Sequence, residues 1–155
     1  MAFPFLEENT ASRRRLETLV RRLSDADLAL STPYGWTVAA LLAHLAFWDQ
    51  RVLALLRRWK AQGVDSSPID ADAVNEALKP LCLAMHPRTA VELCLSSAEA
   101  VDAELETITS DLVEEIQEQT QATHTQFRFS RALHRNDHLN HIELLLREPS
   151  APSGA

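Results

Sequence analysis

Glycine is scarce in this chain of 155 residues: there are three, Gly35, Gly63 and Gly154. Loops of the GxGxxG and Walker A kinds need closely spaced glycines for tight turns and for backbone approach to phosphate. No such loop can be written here, nor can GxSxG, so Rossmann, P-loop and α/β-hydrolase mechanisms are excluded. Basic charge is short as well: 15 Lys and Arg stand against 22 Asp and Glu, a formal charge of −7. A duplex-binding surface wants clustered Lys and Arg, so no nucleic-acid partner is expected. Two cysteines, Cys82 and Cys94, are too few for a disulfide scaffold and lie in apolar-rich segments, which points to a reduced, cytoplasmic protein. The opening residues Met1 to Glu8 have no basic region and no long apolar run, and no uncharged apolar stretch approaches the ~18 residues of a membrane span. Neither a leader nor a membrane partner is expected.

What the chain does have is helical periodicity. Its length fits one domain with a sizeable core, and 46% of its residues are hydrophobic. Residues 5–23 read as a first helix, with Phe5, Leu16, Leu19 and Leu23 on one seam and Asn9 and Ser12 filling its upper turns. After the turn signal Ser31-Thr32-Pro33-Tyr34-Gly35, a second helix runs over 38–61, with Thr37 as N-cap and Gly63 as stop. Its apolar positions Leu41, Leu45, Trp48, Val52, Leu55 and Trp59 form a heptad seam. Residues 70–84 read as a helical insert broken by Pro80. A third long helix covers 88–109 with Cys94, Ala98, Val101, Leu105 and Ile108 in register, and a short acidic helix covers 111–119. Residues 120–129 read as a loop, and a last helix spans 130–147 before Pro149 and a frayed tail over 149–155. Four long seamed helices predict an all-α four-helix bundle over 1–148, with the insert between the second and third.

The chemistry sits in the histidines. Three of six fall in Leu133-His134-Arg135-Asn136-Asp137-His138-Leu139-Asn140-His141-Ile142. On a helix of 100° per residue with His138 at zero, His134 lies at about −40° and His141 at about −60°. Leu145 at about −20° and Ile142 at about +40° put the trio on the apolar face. On the second helix, with Leu41 at zero, His44 lies at about −60°, at the edge of the buried face. Facing helices approach to ~8–10 Å, so His44 can meet the trio. A buried imidazole without a partner costs on the order of 1–3 kcal/mol, and one divalent cation answers that for several at once. Histidines at i and i+4 have Cβ atoms roughly 5–6 Å apart and can chelate one ion. A third from another helix leaves open positions, the pattern of a catalytic site rather than a structural one.

Gly35-Trp36-Thr37-Val38-Ala39-Ala40-Leu41-Leu42-Ala43-His44-Leu45-Ala46-Phe47-Trp48-Asp49 resembles the second-helix pattern of the DinB-like superfamily. His134-Arg135-Asn136-Asp137-His138-Leu139-Asn140-His141-Ile142 is similar to that family's last-helix pattern, His-x-x-x-His-Leu-x-x-Ile. The resemblance spans nearly the whole chain. It implies an up-down-down-up bundle that binds a divalent metal, often zinc or nickel, and it carries the ligand role onto His44, His134 and His138. His141 stands where the family is often Gln or Glu, which implies a supporting or substrate-facing role. Relatives with known activity include transferases that use low-molecular-weight thiols.

Three functions remain open at this level. A metal-dependent enzyme would use the site to activate a thiol or water against a small-molecule substrate. A binding module would hold metal or ligand without turnover. A structural protein would use its seams to form a homodimer. Asp49, Arg135 and Asp137 are candidates to orient imidazoles or bind substrate, and Trp48, one turn from His44, is a candidate wall. Trp36 and Trp59 read as packing. Arg13-Arg14-Arg15 and Arg21-Arg22 read as a solvated face, His86 and His124 as surface, and Cys82 and Cys94 as core.

Overall fold

Capping chemistry sets most of the element boundaries. The computed structural model describes residues 2–148. Among them are seven helices and no strand: α1 Pro4–Val20, α2 Asp25–Ala29, α3 Val38–Gln62, α4 Ala71–Ala84, α5 Pro87–Glu106, α6 Ser110–Thr123 and α7 Ala132–Arg147. The expected tail at 149–155 lies outside the described residues. Thr37 caps α3 by accepting the Ala40 N–H at 3.0 Å. Gly63 ends it at φ 87°, a conformation that costs glycine little.

Several boundaries differ from the sequence reading, among them the end of the third long helix, at Glu106 rather than 109. The first helix stops at Val20 rather than 23, and Ser24 opens the separate α2 through a reciprocal capping box with Asp27. The insert α4 is not broken by Pro80 but runs through it. Proline forfeits one ladder hydrogen bond, and Pro80 is exposed, where water can serve the carbonyl left free. The acidic helix continues to Thr123, because Val113 and Ile116 anchor it in the core, and it ends at His124 in the left-handed region. The loop before the last helix is therefore 124–131, not 120–129, and α7 begins at Ala132.

The four long helices pack in the pairs α3–α5, α1–α7, α1–α5 and α3–α7. Contacts of α3 with α5 advance together, Gln50 on Ser97 and then Lys60 on Glu104. So do those of α1 with α7, Ser12 on Arg135 and then Arg15 on Glu143. Contacts of α3 with α7 run in reverse order, His44 against His138 and Asp49 on Arg131 at the start of α7. The expected seams are buried: Leu41, Leu45, Val52, Leu55 and Trp59 on α3, and Cys94, Ala98, Val101, Leu105 and Ile108 on or just after α5. Trp48 is half-buried. By length and composition α3 is the one helix among the described residues apolar enough to cross a membrane, yet 72% of that stretch is buried inside the fold.

Two apolar clusters form the core. One takes α3 up to Leu45 and the other takes it from Val52. Asp49 falls between them and belongs to a layer of buried charge. Arg135 donates through both Nη atoms to Asp102, at 3.0 and 2.8 Å, and through Nη2 to Asp49 at 3.2 Å. Arg131 Nε reaches Asp49 at 2.8 Å and Arg13 Nε reaches Asp102 at 3.0 Å. Burial works to lower the Arg135 pKa, but Asp49 and Asp102 outweigh it and hold the guanidinium above its ordinary value. The layer ties α1, α3, α5 and the start of α7 into one register.

Candidate metal centre

Three imidazoles converge where α3 and α7 cross. His44 is buried on α3, and His134 and His138 are half-buried on α7. His44 Nε2 lies 3.1 Å from His134 Nε2, which lies 3.2 Å from His138 Nε2. All three ligand atoms fall within 4.8 Å of one another. A ring nitrogen offers either one N–H or one lone pair, so His134 Nε2 cannot form two good hydrogen bonds to its two neighbours. A cation among the three would take a lone pair from each. At Zn–N of about 2.0–2.1 Å, tetrahedral nitrogens sit about 3.3 Å apart, close to the separations of 3.1 and 3.2 Å here. The donor set and its spacing therefore fit a divalent ion.

The electrostatics point the same way. Burial pushes the His134 pKa down to about 2, helped by His138, His44, Arg131 and Arg128. Burial and then His138 push His44 down to about 4. Burial also lowers His138, against an opposing pull from Asp137. All three are thus neutral at pH 7, the form that donates a lone pair to metal. One usual feature is missing: the Nδ1 atoms of His44 and His138 are buried without a hydrogen-bond partner. Metal-bound histidines commonly hand that proton to a carboxylate or carbonyl. Here packing orients the ring instead, with Trp36 edge-on to His44 at 5.4 Å and Trp48 at 6.3 Å.

The pKa shifts make the metal-free protein acid-sensitive. Unfolded histidines take up protons near pH 6.5, whereas the folded trio does so only well below that, so the unfolded state binds more protons and gains as pH falls. Stability is expected to be full above pH 6.5 and to fall by about 1–2 kcal/mol per unit below it. Urea titrations of chelator-treated protein between pH 7 and pH 4.5 check this; a flat profile would contradict it.

Two cavities adjoin the histidines. One, of about 640 Å³, is lined by His44, His134, His138 and His141, with Trp36 and Tyr34 on its wall. The second, of about 290 Å³, shares His44, His134 and Asn75 with the first. Gly35 at φ 76° turns the loop that carries Trp36, and Lys79 of α4 holds that loop by donating to the Tyr34 carbonyl at 2.6 Å. Trp36, read as packing, is thus also a wall of the site. Asn75 accepts from Trp48 Nε1 at 3.1 Å. Tyr34, Asn75, Arg51 and Arg128 escaped the sequence reading, because none lies on a seam or in a motif.

His141 does not join the trio. It is exposed on the first cavity's wall, its ring 6.1 Å from that of His138. Asp49 and Arg135 do not orient imidazoles as anticipated: the Asp49 carboxylate and both Arg135 Nη atoms are committed to the charge layer, and Arg135 Nε is buried without a partner. Asp137 is exposed and acts on His138 only through its charge. Arg13 and Arg15 are not a solvated face either: Arg13 pairs with Asp102, and Arg15 reaches Asn136, Asn140 and Glu143. His86 and His124 are exposed, and Cys82 and Cys94 are buried.

A family model described as the DinB superfamily matches residues 8–142, a span that holds all four histidines of the region, and the chain belongs to that superfamily. No curated protein and no solved structure matches it.

Proposed function

We propose that this protein is a divalent-metal-dependent enzyme in which His44, His134 and His138 hold the ion and the adjoining cavity takes a small-molecule substrate. The observation that carries this reading is the convergence of three neutral imidazole nitrogens on the wall of a cavity of about 640 Å³. That volume lies within the usual 300–1,000 Å³ of ligand sites. An all-nitrogen donor set favours zinc or nickel over harder ions. When bound, such an ion supplies Lewis acidity that makes a thiol or a water a nucleophile at neutral pH. The chain's own part is to exclude water and to move a proton. Trp36 and Leu41 wall the cavity with apolar surface, and we assign to an imidazole nitrogen of His141 the task of taking the nucleophile's proton, a role its position on the same wall supports. We also read the four long helices as an up-down-down-up bundle; the order of contacts along α3–α5, α1–α7 and α3–α7 supports this.

The test is turnover. Zinc- or nickel-loaded protein is incubated with low-molecular-weight thiols and an electrophile, or with ester and amide substrates alone. Metal-dependent turnover is expected, with His141→Ala about 100-fold slower and its metal content unchanged. A fully loaded protein that turns over nothing in either panel would leave a metal-binding module instead.

A further inference from the structure

The second cavity carries a feature that the metal reading does not use. Its wall includes two guanidinium groups with no acidic partner: no carboxylate lies within ion-pair distance of Arg51 or Arg128 among the described residues. Arg51 spends one nitrogen on Ser67, donating to its carbonyl and its Oγ at 3.0 Å each. Arg128 makes a single contact, to Gln126 Oε1 at 3.4 Å. Elsewhere in the same region arginines are neutralised: Arg131, on the same cavity, is bound to Asp49, and Arg135 and Arg13 to Asp102. In a chain with 22 acidic and 15 basic residues, two unpaired guanidiniums on one cavity stand apart from the general balance. Arg51 is half-buried, where a charge without a counterion is disfavoured. The wall also carries apolar surface, Trp48, Val52, Ile69 and Phe127, beside the amides of Asn75 and Gln126.

We infer that this cavity binds the oxyanion end of a small organic acid, a carboxylate or a phosphate on an apolar body, through Arg51 and Arg128. Guanidinium forks match both groups bidentately. The apolar body would lie on Trp48 and Phe127, and because His44 and His134 line the same cavity, the acid's other end would meet the three-histidine cluster. The inference names the substrate class for the proposed enzyme and rests on that proposal only for where the reacting end goes.

Calorimetric titration at low ionic strength tests it, using chelator-treated protein with benzoate, phenyl phosphate and neutral benzamide as probes. At least one of the two anions is expected to bind with a Kd in the millimolar range or below, and which of them binds tighter identifies the oxyanion. Benzamide is expected to bind about tenfold more weakly, as is the preferred anion to Arg128→Gln, the loss of one charge-assisted hydrogen bond. Arg51→Gln is expected to do the same; Arg128 is exposed and makes one weak contact, so its variant keeps the test sound if Arg51→Gln misfolds. Failure of both anions to bind, equal binding of benzamide, or an unchanged Kd in Arg128→Gln would overturn the inference. Because no metal is present, such a failure leaves the metal proposal standing, and anion binding would survive the loss of that proposal.

Discussion

Arg135→Ala is expected to destabilise the protein by about 3–5 kcal/mol, the cost of removing one partner from a buried ion pair. Arg135 is 1% exposed and is the largest fully buried side chain in the structure. It bridges Asp102 on α5 and Asp49 on α3, and its Nη1 also reaches the Asn9 carbonyl at 3.2 Å on α1. Removing it leaves two carboxylates 3% exposed, with Arg13 and Arg131 as their only remaining cations among the described residues. It also opens a cavity at the junction of three helices. Arg135→Lys is not a remedy, since an ammonium cannot reproduce the two-pronged contact with Asp102. Urea unfolding at pH 7 reads the effect. A loss under about 1 kcal/mol would mean that the charge layer is solvated and does not set the register of α7.

His134→Ala is expected to abolish metal binding while helicity is kept. His134 Nε2 is the shared neighbour of the other two, at 3.1 and 3.2 Å, so its removal leaves a pair without a centre. Loss of a group that merely supports a ligand costs about 10–100-fold in affinity; loss of the ligand itself exceeds that. His134 is half-buried beside two cavities, so truncation enlarges existing space rather than hollowing the core. The variant has a second signature. With its strongly lowered pKa gone, metal-free His134→Ala is expected to lose less stability than the parent between pH 6.5 and pH 4.5. Competition with a chromophoric chelator measures the first effect, and circular dichroism with urea titration the second. Parent-like affinity would remove His134 from the site.

The sequence made the site legible because helix phase is simple arithmetic. His134 and His138 share a face by their spacing of four, and His44 follows from the seam of α3. That seam is unbroken from Leu41 to Trp59, so its inward face could be assigned with His44 at its edge. The parts that escaped lack a period. A helix of five residues such as α2 has no repeat to detect, and only the Ser24–Asp27 capping box betrays it. The charge layer was hidden because Asp49 and Arg135 read as partners for the histidines, nothing local marks Asp102 or Arg131, and the four become a core only when four chain segments meet. Arg128 lies in the loop before α7, where nothing in the local pattern tells a cavity wall from a surface. The loop itself is held by tertiary contacts, Phe127 on Trp59 at 5.1 Å and Phe129 on Phe5 at 5.3 Å, which no local signal encodes.

The central claim is that three histidines hold one divalent ion, and elemental analysis addresses it most directly. Untagged protein is purified without chelator, soaked with zinc or nickel, dialysed, and compared with His44→Ala treated identically. About one equivalent of metal per chain in the parent and almost none in the variant is the expected result. A parent without metal after both soaks, or a variant that keeps it, would make the trio a packed cluster of neutral imidazoles rather than a metal centre.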